Sequence, residues 1–103
     1  MQVSVLNQLK LQARIEQMAA VRYTPAGVPV LELVLHHESD ELIEAGITRV
    51  VRLDIKALAL AEHAETLIKA KTDAESSFEF TGFLAPSRNG KGIVFHIQHF
   101  HRM

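Results

Sequence analysis

The chain of 103 residues contains no cysteine. Disulfide frameworks, thiol catalysis and cysteine-ligated zinc are thereby excluded, and the composition suits a reducing cytoplasm. Tryptophan is also missing, which removes one common flat platform for stacking. Charge of neither sign prevails: 11 Lys and Arg against 12 Asp and Glu give a formal net charge of −1. Global electrostatics therefore favour neither nucleic acid nor a membrane surface, and such a function must rest on where charges sit. No stretch approaches the ~20 apolar residues that cross a bilayer. Met1 to Leu11 lack a basic leader and an unbroken apolar run, so no secretory signal is expected. Glycine-rich phosphate loops, spaced nucleophile–base pairs and paired carboxylates on one element are absent too, which argues against an enzyme.

What remains is ordinary globular material, 48% hydrophobic and 22% charged. It suffices for one modest core, and residues 1–103 are expected to form a single domain.

Residues 7–16 alternate, with Leu9, Leu11, Ala13 and Ile15 on one parity and Lys10, Gln12, Arg14 and Glu16 on the other. These residue types favour helix, but Ile15 falls off any helical stripe through Leu6, Leu9 and Ala13. The period predicts a strand. Thr24-Pro25-Ala26-Gly27 is a turn, with proline pre-setting φ and glycine closing it. Residues 28–38 follow as a strand, with Leu31, Leu33 and Leu35 on one face. Its other face carries Val30 and Val34 beside Glu32 and His36. A strand apolar on both faces is usually covered on both, and a second copy of the chain is the expected cover for Val30 and Val34.

Ser39 to Gly46 reads as an acidic connection, with Glu38, Asp40, Glu41 and Glu44 solvated or docking a basic partner. Ile47 to Ile55 alternates again: Ile47, Val51, Leu53 and Ile55 share a side that Arg49 interrupts, and Arg52 lies opposite. Residues 57–71 change period. Leu60, Ala64, Leu67 and Ile68 follow helical spacing, with Glu65 four residues before Lys69. Thr72 to Ser77 is a loop, and Phe78 to Leu84 a strand. Ala85 to Gly92 form a hairpin connection marked by Asn89-Gly90. Ile93 to His101 is the last strand, with Phe95 and Ile97 together on one face. The chain is thus all-β with one helix. Its order predicts a five-stranded Greek-key barrel, the helix lying between strands three and four and plugging one open end.

Several motifs then fall into a familiar order. The run Val21-Arg22-Tyr23-Thr24-Pro25-Ala26-Gly27, with Pro29-Val30 after it, leads through an apolar strand to His36-His37-Glu38-Ser39. Asn7, Leu9, Leu11 and Ile15 precede it; Glu44-Ala45-Gly46 with Arg49, and Gly82-Phe83-Leu84 entering a basic hairpin, follow. Together they resemble the bacterial single-stranded DNA-binding proteins, and within them the primosomal replication protein N (PriB) family. The resemblance implies an oligonucleotide/oligosaccharide-binding (OB) fold, a homodimer, and single-stranded DNA binding during replication restart. It further implies bridging of a restart helicase to helicase-loading proteins, with no cofactor, membrane or small-molecule substrate. Longer members of the group carry a glycine-rich tail with an acidic tip. This chain stops at Met103, directly after its final strand, which fits the short restart form.

A single strand is held by a basic groove tracking phosphates and by flat groups on which bases stack. The candidate cations are Arg22, Arg49, Arg52, Arg88 and Lys91, expected to converge on one face, with His37 joining them. The resemblance places the loop after the first strand beside the DNA, where Arg22 and Tyr23 would meet backbone or base. Tyr23 either stacks or packs. Arg49 has inward parity, and burial without a partner is costly, so the strand is expected to bend and present it to the groove. Arg88 and Lys91 flank Asn89-Gly90 at a hairpin tip, where they neutralise phosphates or simply solubilise a loop.

Family members carry an aromatic pair on the third strand; the matching positions here are Ile47 and Arg52. A basic residue that would follow His37 is here Glu38, which removes one contact. Weaker or more salt-sensitive binding is therefore expected. Phe78, Phe80, Phe95 and Phe100 are core or interface residues, whereas Phe83, of different parity, is expected exposed or at a dimer contact. His36, His37, His96, His99 and His101 could approach one another. Yet His96 and His99 point to opposite faces and lack a supporting carboxylate, so no metal site is expected. Two other readings use the same barrel: a protein-interaction subunit with little DNA affinity, and an RNA-binding module.

Overall fold

Period-two alternation decides most of this architecture. The computed structural model describes residues 5–70 and 75–103. Strand β1 spans Leu9–Met18, the two-residue β2 Arg22–Tyr23, β3 Pro29–Glu44 and β4 Ile47–Leu60. Helix α1 covers Glu62–Ala70, and β5 (Ser77–Pro86) and β6 (Ile93–Arg102) complete the chain. The sheet runs β1-β5-β6-β4-β3-β2, and an additional β1–β3 pairing closes it. Every pairing is antiparallel except β4 with β6, which meet in parallel at Ala57–Phe95 and Leu58–His96. The five long strands thus form the expected barrel, with α1 between the third and fourth of them.

Inward-facing residues of the alternating runs make the core. Ala13, Ile15, Leu31, Leu33, Leu35, Phe78, Phe80, Phe95 and Ile97 are all buried, and burial of each large side chain contributes roughly 1.5–3 kcal/mol. From α1, Ala64 and Leu67 join the same cluster. Leu60 and Ile68, which shared their expected stripe, are each 40% exposed and lie outside it.

The helix begins at Glu62, not at residue 57. Ala57 and Ala59 face the barrel interior and pair with Leu33 and Leu31 on β3. Ladder pairing and burial override the helix propensity of this alanine- and leucine-rich stretch. The switch occurs at Ala61, in the left-handed region at φ 55°. Its N–H donates to the Pro29 carbonyl at 2.9 Å, and its own carbonyl accepts from the amides of Ala64 and Glu65. The expected helix end at Lys71, and residues 72–74 of the loop after it, lie outside the described residues.

The expected acidic connection over residues 39–46 is instead the end of β3 and the Ala45-Gly46 turn into β4. Beyond the barrel, β3 and β4 continue as a two-stranded arm, pairing Leu42 with Arg49, Ile43 with Thr48 and Glu44 with Ile47. A bulge between Ser39 and Leu42 accommodates Asp40 and Glu41. The arm ends at Ala45-Gly46, with φ 51° and 78°, the positive pair that a two-residue primed hairpin turn requires. Because the arm has left the barrel, its apolar residues are bare: Ile43 is 77%, Ile47 63% and Val50 60% exposed. Val30 needs no second copy to cover it, since it is only 3% exposed within one chain.

Candidate nucleic-acid interface

The outer faces of β3 and β4 carry the polar residues left over when leucines and alanines turn inward. Cross-strand neighbours there are Glu32 with Leu58, Val34 with Lys56, His36 with Asp54, and Glu38 with Arg52. Along β4, Arg52, Asp54, Lys56 and Leu58 share this face by alternation, so Arg52 lies ~13 Å up the strand from Lys56.

A groove of about 490 Å³ crosses this surface. Its floor includes Val34, Leu58 and Val94, and its polar lining includes Gln17, Arg22, Glu32, Lys56, Arg88, Asn89 and His96. One wall is the β2 stub. It leads into the Thr24–Gly27 turn, in which the Gly27 amide donates to the Thr24 carbonyl at 2.8 Å and the Val28 amide to Thr24 Oγ1 at 3.1 Å. The opposite wall is the β5–β6 tip. There the Ser87 hydroxyl lies 2.7 Å from Asn89 Oδ1, which also accepts the Lys91 amide at 2.8 Å. The tip is a closed hydrogen-bonded turn.

The expected site residues separate into three groups. Arg22 and Arg88 line the groove, together with Lys56, which the sequence reading did not select. Arg49 and Arg52 lie on the arm and its root, whereas Lys91 and the 68%-exposed Tyr23 lie outside the groove lining. His37 is occupied internally: its Nδ1–H donates to the Gln12 carbonyl at 2.6 Å, and its Nε2 accepts from the Ser39 hydroxyl at 2.9 Å. Of the five expected cations, Arg22 and Arg88 line the groove.

Carboxylates already meet three of the arginines. Arg22 pairs with Glu32 at 3.3 Å, Arg49 with Glu44 at 2.6 Å and Arg52 with Glu38 at 3.3 Å. Among the described residues no ion-pair partner meets Lys56 or Arg88. Glu38 also accepts from His36 Nε2 at 2.7 Å, while His36 Nδ1 is 2.6 Å from Asp54. Hydrogen bonds to Asp54 and then Glu38 hold the His36 pKa above the ordinary 6.5, against smaller opposing effects of desolvation and then of Arg14. The same bond from His36, then that from Arg52, lowers Glu38 below its usual value.

Lys56 was legible in principle: it continues the Arg52 parity once β4 is extended past Ile55. In the sequence, His96 carries no signal beyond that of a histidine among other histidines. Among the described residues, no group of three or more His, Asp or Glu side chains converges on a metal site. Among them too, no helix is long and apolar enough to cross a membrane.

Comparison with known proteins identifies the family and the fold. A family model described as "another single-strand binding protein family" covers residues 7–99. Replication restart protein PriB of Bordetella pertussis is 43% identical over 99 residues, spanning 95% of this chain and 90% of that protein. The chain belongs to the PriB family. A solved PriB structure from Ralstonia solanacearum superposes with a TM-score of 0.83 at 31% identity, covering 96% of this chain and 100% of the other. The single-stranded DNA-binding protein from Thermus aquaticus gives a TM-score of 0.73 at 21% identity, over 95% of this chain and 50% of its own. This last likeness concerns the fold alone, and it places the PriB-type barrel among OB folds.

Proposed function

We propose that this chain is a non-catalytic, single-stranded DNA-binding protein of replication restart, holding the strand in the groove between β2 and the β5–β6 tip. The observation that carries the reading is the pair of groove-lining cations, Lys56 and Arg88, that have no ion-pair partner among the described residues and sit beside apolar Val34, Leu58 and Val94. Phosphates meet those two charges while bases lie toward Val34, Leu58 and Val94. Arg22, Arg49 and Arg52 contribute only where phosphate displaces a glutamate, so affinity is modest. Lys91 and Tyr23 serve at the margins, and His37 acts by bracing β3 against β1. The protein works in the cytoplasm, as one OB domain per chain in a homodimer.

Titration of a labelled poly-dT oligonucleotide at several salt concentrations tests this. Lys56→Ala with Arg88→Ala should weaken binding and flatten the salt dependence by about 0.7 per lost phosphate contact. No binding by the unaltered chain at low salt would overturn the reading.

A second reading is favoured by the arm. Its exposed Leu42, Ile43, Ile47 and Val50 form an apolar ribbon suited to a protein partner. On this reading the chain bridges a restart helicase to helicase-loading proteins, and the helicase binds equally well with and without DNA.

A further inference from the structure

A strand held only by phosphate contacts would slide, so a groove for single strands normally offers bases a flat surface. The third strand of this barrel does not supply one, since Ile47 and Arg52 stand there. Phe78, Phe80 and Phe95 are buried in the core, and Tyr23 lies outside the groove lining. Among the lining residues, His96 alone has an aromatic side chain.

His96 is not a lone ring. Phe83 lies parallel to it, with centroids 4.9 Å apart and planes at 15°. The backbone creates this pair. A register shift between Thr81 and Gly82 brings Phe83 directly opposite His96. Gly82 permits the close approach, because a Cβ there would lie 1.8 Å from the His96 carbonyl oxygen. Both rings emerge on the outer face, opposite in parity to the buried Phe80 and Phe95. Leu58, the parallel neighbour of His96 on β4, and Val94 on β6 extend the same surface as groove floor.

We propose that His96, backed by Phe83, is a base-stacking platform of the groove and takes the place of the missing strand-three aromatics. Phe83 fixes the imidazole plane, so little side-chain freedom is lost when a base stacks on it. The proposal rests on the single-stranded DNA reading above. It adds to it a contact that is blind to phosphate and insensitive to salt.

The test compares the unaltered chain with His96→Ala and His96→Phe against oligo-dT, an abasic oligonucleotide of equal length, and oligo-dT carrying one 2-aminopurine. His96→Ala should lose roughly ten- to a hundredfold in affinity with an unchanged salt slope, the loss typical of one base–aromatic contact. His96→Phe should restore it. The abasic strand should bind the unaltered chain and His96→Ala alike, and 2-aminopurine fluorescence should be quenched on binding. If the unaltered chain binds oligo-dT but also holds the abasic strand equally well without quenching, the platform is overturned and the groove stands. A salt slope that falls in His96→Ala and stays low in His96→Phe would overturn it too, because His96 would then act as a cation. Failure of the unaltered chain to bind any strand removes both proposals.

Discussion

Glu38 stands opposite Arg52 in the β3–β4 ladder, its carboxylate 3.3 Å from the guanidinium Nε. A phosphate that recruits Arg52 must first displace this carboxylate. Exposed pairs of this kind are worth about 0.2–1 kcal/mol, so Glu38→Gln should tighten single-stranded DNA binding roughly two- to fivefold at low salt. Glu65→Gln removes the same charge from the exposed side of α1, an element that carries none of the site arginines, and should change little. Fluorescence anisotropy with the two variants side by side checks this; equal gains would mean that net charge alone matters.

The same carboxylate couples the site to pH. His36 is held above 6.5 by Asp54 and Glu38, so its contribution to stability is complete below 6.5 and is lost as pH rises through the elevated value. Glu38, held below its usual value by His36 and Arg52, contributes in the opposite sense: its stabilisation is present above 4.5 and disappears on acidification. The melting temperature of the unaltered chain should therefore fall by more than that of His36→Asn as pH rises from 6.5 through the elevated His36 value. A histidine proton titration should place the His36 midpoint above that of an exposed histidine.

Much of the barrel can be read from alternation, because Leu31, Leu33 and Leu35, or Phe95 and Ile97, have no other way to share a face. Ala57 to Leu60 are different. Small and leucine side chains satisfy a helix period and a strand period equally, and only pairing with Leu31 and Leu33 decides. The arm was hidden by its bulge, which breaks the parity of β3 between Ser39 and Leu42. The binding face was half legible. Arg22 and Arg88 follow from turn positions, but their ion-pair partners depend on cross-strand register that the linear order does not display. His96 and Phe83 become neighbours through the shift at Gly82, which alternation alone does not predict.

Gly82 should be the least replaceable glycine of the chain. A Cβ would meet the His96 carbonyl oxygen at 1.8 Å and the Phe95 ring at 3.0 Å, and the contact with backbone has no soft way to relax. Gly82→Ala is expected to cost on the order of 3 kcal/mol, at the upper end for overpacking, as read from the urea midpoint. Gly90→Ala makes a useful contrast. Nothing lies within 4 Å of its Cβ position, so only the left-handed backbone at φ 72° is strained, at about 1–2 kcal/mol.

The arm offers the clearest separation of binding from stability. Two-stranded ribbons have little stability of their own in water, and Ile43 and Val50 gain almost nothing from burial at 77% and 60% exposure. Ile43→Thr with Val50→Thr keeps β-branched side chains in both strands while removing apolar surface. Stability should therefore stay within about 0.5 kcal/mol of the unaltered chain, as exposed substitutions usually do. If the ribbon carries a protein contact, calorimetric titration with a restart helicase should show affinity falling about tenfold or more, since apolar anchors dominate such interfaces. DNA affinity should be unchanged, because neither residue lines the groove. Equal helicase affinity in the double variant would assign partner binding to another face of the barrel and leave the arm's exposed isoleucines and valine without a role in partner binding.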